Sequence, residues 1–139
     1  MAKFVATNYN IKINGADFSS AIAAVTFDVS AAEQETTAFG NSYVQRIAGL
    51  KDASVSLDFH QDFAASGPGN VDAVLFPLLG SNATVTVIPN GTAVTSSNPS
   101  YSGVFLVSQT AFGGNVGDLD TLEVTWPLAS GSGVTRGTA

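Results

Sequence analysis

The chain has 139 residues, which fits a single domain, 1–139, with enough length for a real core. Only 12% of its residues are charged, against about 25% in ordinary soluble domains, so either other subunits cover part of its surface or uncharged polar groups carry it. The net charge is -6, and from Asp52 to Thr135 there are seven acids and no Lys or Arg, which excludes a basic nucleic-acid patch there; with no cysteine, disulfides, thiolate zinc sites and a Cys nucleophile are excluded too.

"YNIKING" predicts a short strand from Tyr9 to Ile13 that ends in an Asn-Gly turn at Asn14 and Gly15. Before it, 1–8 has no signal-peptide apolar region, and no apolar run in the chain approaches membrane-spanning length. The expectation is folding in a cytoplasm with no membrane partner. The Asn-x-Thr matches at Asn82 and Asn90 then count as chance.

In "AAVTFDVSAAEQET", Val25, Phe27 and Val29 alternate with Thr26, Asp28 and Ser30, the pattern of a half-buried strand. A segment too long for a tight turn follows, taken here as a loop over 37–49. "ASVSLDFHQDF" alternates most cleanly: Val55, Leu57 and Phe59 point one way, and Ser54, Ser56, Asp58 and His60 the other. "NVDAVLFPLLG" predicts the one helix, over 70–80. Asn70 is its expected N-cap, Val71, Val74, Leu75, Leu78 and Leu79 form its apolar stripe, and Pro77 shortens, kinks or breaks it. "ATVTVIP", "YSGVFLVSQTAF" and "LDTLEVTWPLAS" predict three more strands, with Trp126 in the core set. The tail, 130–139, is Gly-rich with no core pattern. Strands, one helix, then strands point to a mainly β fold: an antiparallel β-sandwich or split barrel with one short flanking α-helix.

Catalytic chemistry finds little support. His60, the one histidine, shares a strand face with Asp58 and Asp62, but no G-x-S-x-G elbow accompanies it. Asn115, Asp118 and Asp120 miss the calcium-loop spacing, and the glycines of "GSGVTRG" open no helix that would cradle a phosphate. We expect no enzyme, no cofactor and no metal.

The order of segments resembles the tail tube (major tail) proteins of long-tailed bacteriophages. "GLKDASVSLDF" precedes the helix, and "YSGVFLVSQ" then "DTLEVTWPL" follow it, so the resemblance spans roughly Tyr9 to Gly137. It implies a structural virion protein, made in the host bacterial cytoplasm, that self-assembles into hexameric rings stacked as a tube. Inner strands of the subunits would join in a barrel around a lumen. Double-stranded DNA would pass through it without tight binding, and other tail proteins would meet the tube ends. The loop 37–49 would reach a neighbour through Phe39, Tyr43 and Arg46, and 1–8 and 130–139 would be arms ordered on assembly. Lumen candidates are the polar-face residues Asp28, Ser30, Ser54, Ser56 and Asp58, since a cation-free wall does not hold phosphates; the pattern does not say which sheet faces inward. The alternatives are another virion β-protein (capsid decoration or tail terminator), a β-sandwich ligand-binding module, and a small hydrolase using His60.

Overall fold

The computed structural model describes residues 3, 5–63, 70–129 and 133–139. Its elements are β1 (Asn10–Ile13), β2 (Ala16–Asp17), a single 3-10 turn (Ser19–Ala21), β3 (Ile22–Glu35), β4 (Arg46–His60), α1 (Val71–Leu78), β5 (Asn82–Ile88), β6 (Ser100–Leu106), β7 (Thr121–Pro127) and β8 (Thr135–Gly137). They form two antiparallel sheets, β2-β1-β5-β6-β8 and β3-β4-β7. The expected mainly β sandwich with one helix is what forms.

Alternation decides which faces meet. Val55, Leu57 and Phe59 of β4 and Leu122, Val124 and Trp126 of β7 are buried, as are Ile11, Ile13, Val85, Val87 and Phe105 of the other sheet. Each large side chain taken out of water contributes about 1.5–3 kcal/mol. Phe27 reaches across to Phe105 edge-to-face at 5.4 Å, and Phe18 meets Phe59 the same way at 6.3 Å. The Trp126 indole N–H donates to the Gln109 carbonyl at 3.1 Å, which lets the ring sit fully buried.

The sandwich does not close into a barrel. At one corner the chain leaving β7 joins the sheets: Leu128 N–H donates to Ala53 and Ala129 N–H to Val104, both at 3.0 Å. On the opposite side, among the described residues, β3 has β4 as its single strand neighbour. There the layers part around an apolar cleft of about 270 Å³ bounded by Val25, Phe27, Val87 and Tyr101.

Local sequence accounts for the joints. Asn14 (φ 52) and Gly15 (φ 84) both take positive φ, as a two-residue hairpin between twisted strands requires. Asn14 also fastens that hairpin to β5, its Oδ1 accepting from Thr84 N–H at 2.9 Å. The helix is shorter than its apolar stripe. Val71 and Leu75 are buried, Val74 and Leu78 pack partly buried against the core, and Leu79 and Phe76 stay exposed. Asn70 stands at the N-cap position but makes no side-chain cap bond there. Instead the Asp72 N–H donates to the Asp62 carbonyl at 3.1 Å. Pro77 lies in the last turn, where it removes the N–H that would bond the Ala73 carbonyl and so helps to stop the helix, and Gly80 (φ 86) turns the chain away.

Strand β6 and the tail differ from the sequence reading. The strand expected through Phe112 ends at Leu106, and the Val107 N–H donates to Ser81 rather than to a strand partner. In the tail, Thr135–Gly137 pairs with β6 and Val134 packs partly buried against the core. Three residues are too few to show a period.

Asp17 ties β2 to the 3-10 turn. Its carboxylate accepts from the Ser19 hydroxyl and, at 2.9 Å, from the Ser19 N–H; the Asn10 amide donates at 3.3 Å. The Ser19 hydroxyl, then the Ser19 N–H, hold the carboxyl below its ordinary value, with Asn10 and the Lys12 charge adding to this against a small opposing effect of burial. A depressed folded pKa contributes stability above the unfolded pKa, and that contribution is lost as pH falls through the folded one. The melting-temperature gap between wild type and Asp17→Asn is therefore widest at neutral pH and narrows below about pH 4. Thermal melts at a series of pH values check this; a gap that does not change with pH would contradict it.

Candidate assembly ribbon and acidic sheet face

The β3 and β4 strands run far beyond the sandwich. They are 14 and 15 residues long, yet β7 pairs only with Ser54–His60 of β4. The remainder, from Val29 through the tip to Asp52, is a two-stranded ribbon with no third strand among the described residues and almost every residue exposed. A lone two-stranded ribbon is at best marginal in water.

Its composition makes the exposure costly. Phe39 is 109% exposed, Leu50 88% and Tyr43 84%, and Val29, Val44 and Ile47 are each more than half exposed. A concentration of apolar surface like this is unusual on a monomer and is a common feature of interaction surfaces. The tip is nonetheless organised. Ala38 N–H donates to the Asn41 side chain at 2.7 Å, Gly40 takes φ 90, Thr36 N–H donates to the Gln45 carbonyl, and Gln45 N–H donates back to the Thr37 hydroxyl. Phe39 is therefore presented on an ordered turn.

The segment expected as a loop over 37–49 is thus partly strand: 46–49 belong to β4, and the connection is 36–45. A bulge hid this. Ala31 pairs with Lys51 but Glu33 with Ala48, so Gly49 and Leu50 together face one residue of β3. The extra residue breaks the alternation in "RIAGLKDA", and with it the signal that would have found Ile47 and Leu50. Gly49 occupies the bulge, where an added Cβ would meet Ala32 and Gln34 atoms at an ordinary contact distance of 3.4 Å. Of the three contact residues predicted from sequence, Phe39 and Tyr43 stand free of the core. Arg46 lies 3.9 Å from Glu33 in an exposed ion pair of little net worth.

The lumen candidates come together on one surface. Register places Asp28 beside Ser54, Thr26 beside Ser56 and Ser30 beside Asp52, with Asp58 in the same alternation, all on the face of the β3-β4-β7 sheet turned away from the core. On the other side of β4, Ser56 pairs with Thr125, Asp58 with Glu123 and His60 with Thr121. Ser56 and Thr125 share a hydroxyl hydrogen bond at 3.1 Å. Among the described residues this face holds acids, hydroxyls and one histidine but no Lys or Arg. Asp58 opposite Glu123 sets like charges side by side, an arrangement that weakens a sheet.

Among the described residues no three His, Cys, Asp or Glu side chains are grouped to hold a metal ion, and no helix is long and apolar enough to cross a membrane. Asn115 and Asp118 belong to a turn closed by an Asp118 N–H bond to the Asn115 carbonyl at 3.1 Å.

No family model matches the sequence and no curated protein matches it. The fold does have solved counterparts. A chain of the virion of a native gene transfer agent particle superposes with a TM-score of 0.72 at 13% identity, over 94% of this chain and 96% of that one. The SPP1 tail tube gives 0.67 at 9% identity, over 95% and 76%. The tail of an empty gene transfer agent particle with C6 symmetry gives 0.63 at 18% identity, over 86% and 83%. Two antiparallel sheets, a flanking helix and a long β3–β4 hairpin therefore give this chain the fold of the phage tail tube proteins.

Proposed function

We propose that the chain is a non-catalytic tail subunit of a virion, assembling as rings of six that stack into a tube through which double-stranded DNA leaves. The observation that carries this reading is the β3–β4 ribbon, whose exposed apolar residues need a covering partner. A second copy is the economical partner for a protein that forms a repeating structure.

The sheet supplies the ring contact. β3 and β7 are the two edges of the three-stranded sheet, and open edges invite pairing with another chain. β7 of one copy against β3 of the next would continue the sheet around the ring. Three strands from each of six copies make eighteen, and barrels of roughly that strand number leave an aqueous channel. The C6 symmetry of the gene transfer agent tail supports the ring size.

The face turned away from the core then lines the lumen, with Asp28, Ser30, Ser54, Ser56 and Asp58 on its wall. Phosphates meet acids and hydroxyls there, gain no counterion release, and slide. The ribbon carries the contact between rings, with Phe39 and Tyr43 as anchors and Arg46 as a charged partner. Subunits are made in the host bacterial cytoplasm and end in the virion tail, where other tail proteins close the tube ends.

Negative-stain electron microscopy over a concentration series tests this. Rings or hollow tubes are expected, alone or after seeding with phage lysate. Small single particles at every concentration, seeded or not, would overturn it.

A further inference from the structure

The ribbon is one of two apolar ends. The other lies where β4 finishes. Gln61 binds the loop that precedes β7, its N–H donating to the Asp120 carbonyl at 2.9 Å and its side-chain amide to the Ala111 carbonyl at 3.5 Å. This holds 112–119 at the His60 end of β4, beside residues 61–63. Val116 there is 107% exposed, Phe112 70%, Leu119 68% and Phe63 61%. Strand β4, 15 residues long, separates the two ends by roughly 50 Å.

We propose that this loop end is the surface that receives the ribbon tip of the next copy along the tube; the proposal rests on the tube reading above, in which the ribbon already carries the contact between rings. Different patches on opposite ends make a heterologous contact, which repeats without closing and so builds an open stack. The direction follows from barrel geometry. Strands in a closed barrel lie about 35–45° from its axis, so a strand of this length advances mostly along the axis and carries its tip past its own ring. The ring contacts use the β3 and β7 edges, which leaves both apolar ends for the axial contact.

Charge agrees with the pairing. Residues 36–50 carry Arg46 and no acid, whereas 107–120 carry Asp118 and Asp120 and no base. The weak, exposed Arg46–Glu33 pair leaves the guanidinium able to turn to an acid of the receiving loop. Phe39 and Tyr43 would pack among Phe63, Phe112, Val116 and Leu119, with charges at the rim, the usual plan of a protein contact.

The chain has no cysteine, so paired thiols report on contacts without background. Phe39→Cys and Val116→Cys are introduced together, both at exposed positions, and assembled tubes are treated with a short bismaleimide. Phe39→Cys with Thr26→Cys, on the sheet face, is the control pair. The proposal expects a ladder of covalent multimers that extends beyond one ring's copy number. Its yield should be at least about tenfold above the control, because thiols held in one contact see a millimolar effective concentration. Tubes that form but crosslink no better than the control would overturn the proposal, as would a ladder that stops at one ring, which places the contact within the ring. Absence of tubes from the unmodified chain, seeded or not, would instead overturn the tube reading, and this proposal with it. If the double variant alone fails to assemble, each single variant is co-assembled with the other and excess wild type, and dimer yield is judged against the same control.

Discussion

Phe39→Asp combined with Tyr43→Asp gives a subunit that folds normally but does not stack. Both side chains lie outside the core, 109% and 84% exposed, so the change in folding stability stays within about 0.5 kcal/mol. The effect on assembly is large. Aromatic anchors at a protein contact are worth about 2 kcal/mol or more each. Losing two, with an added charge in each place, weakens every axial contact by at least about 4 kcal/mol, which is roughly a thousandfold in affinity. The concentration needed for tubes rises accordingly, and at concentrations where wild type is fully assembled the variant is not. Sedimentation of assembled material, alongside thermal melts of the unassembled subunit, separates the two effects. An unchanged pellet would show that the ribbon tip is not the stacking contact. A lowered melting temperature with the lost pellet would show that the tip supports the fold instead.

The second large effect concerns the proposed wall of the tube. Ser56 sits at the centre of the acid- and hydroxyl-bearing face, between Thr26 and Thr125 in register. Ser56→Lys gives up one exposed hydroxyl hydrogen bond, a small loss, and adds a cation that recurs with every copy. Repeated lysines around a lumen neutralise several phosphates at once. About 6–10 such contacts make binding fall by roughly 10³–10⁵ between 50 and 200 mM salt. Ser56→Lys tubes are therefore expected to retain a short DNA duplex at low salt and release it as salt rises, while wild-type tubes retain little at either. Fluorescence anisotropy of labelled duplex with sedimented tubes measures this. Equal retention by both would place Ser56 away from the DNA path.

The sequence made some parts of this architecture plain and hid others, for reasons that can be named. Uninterrupted alternation in 54–60 and 121–127 identified the two strands that carry both the core and the polar face, and Trp126 with them. The Asn14–Gly15 pair identified its turn because few other residues accept positive φ at both positions. The ribbon was half hidden. Its bulge at Gly49 and Leu50 shifts the period, and a ribbon solvated on both faces carries no alternation to read. The end of β6 was misjudged because "VSQTAF" keeps strand-forming Val, Thr and Phe after the chain leaves the sheet, where the Gln109 carbonyl accepts from the Trp126 indole instead. Phe39 and Tyr43 were legible as aromatics in a polar segment. Val29, Ile47 and Leu50 were not, since on sequence alone they look like core. The polar face was legible as a face, but its direction relative to a lumen depends on neighbouring copies that one chain does not contain.

The central claim is that the β3-β4-β7 sheet lines a channel. A helical cryo-electron microscopy reconstruction of the assembled protein tests it most directly. The account predicts a hollow tube whose innermost layer is this sheet, continuous from β7 of one copy to β3 of the next, with Asp28, Ser54, Ser56 and Asp58 directed at the axis. A tube with the five-stranded sheet innermost, or an assembly without a channel, would contradict it.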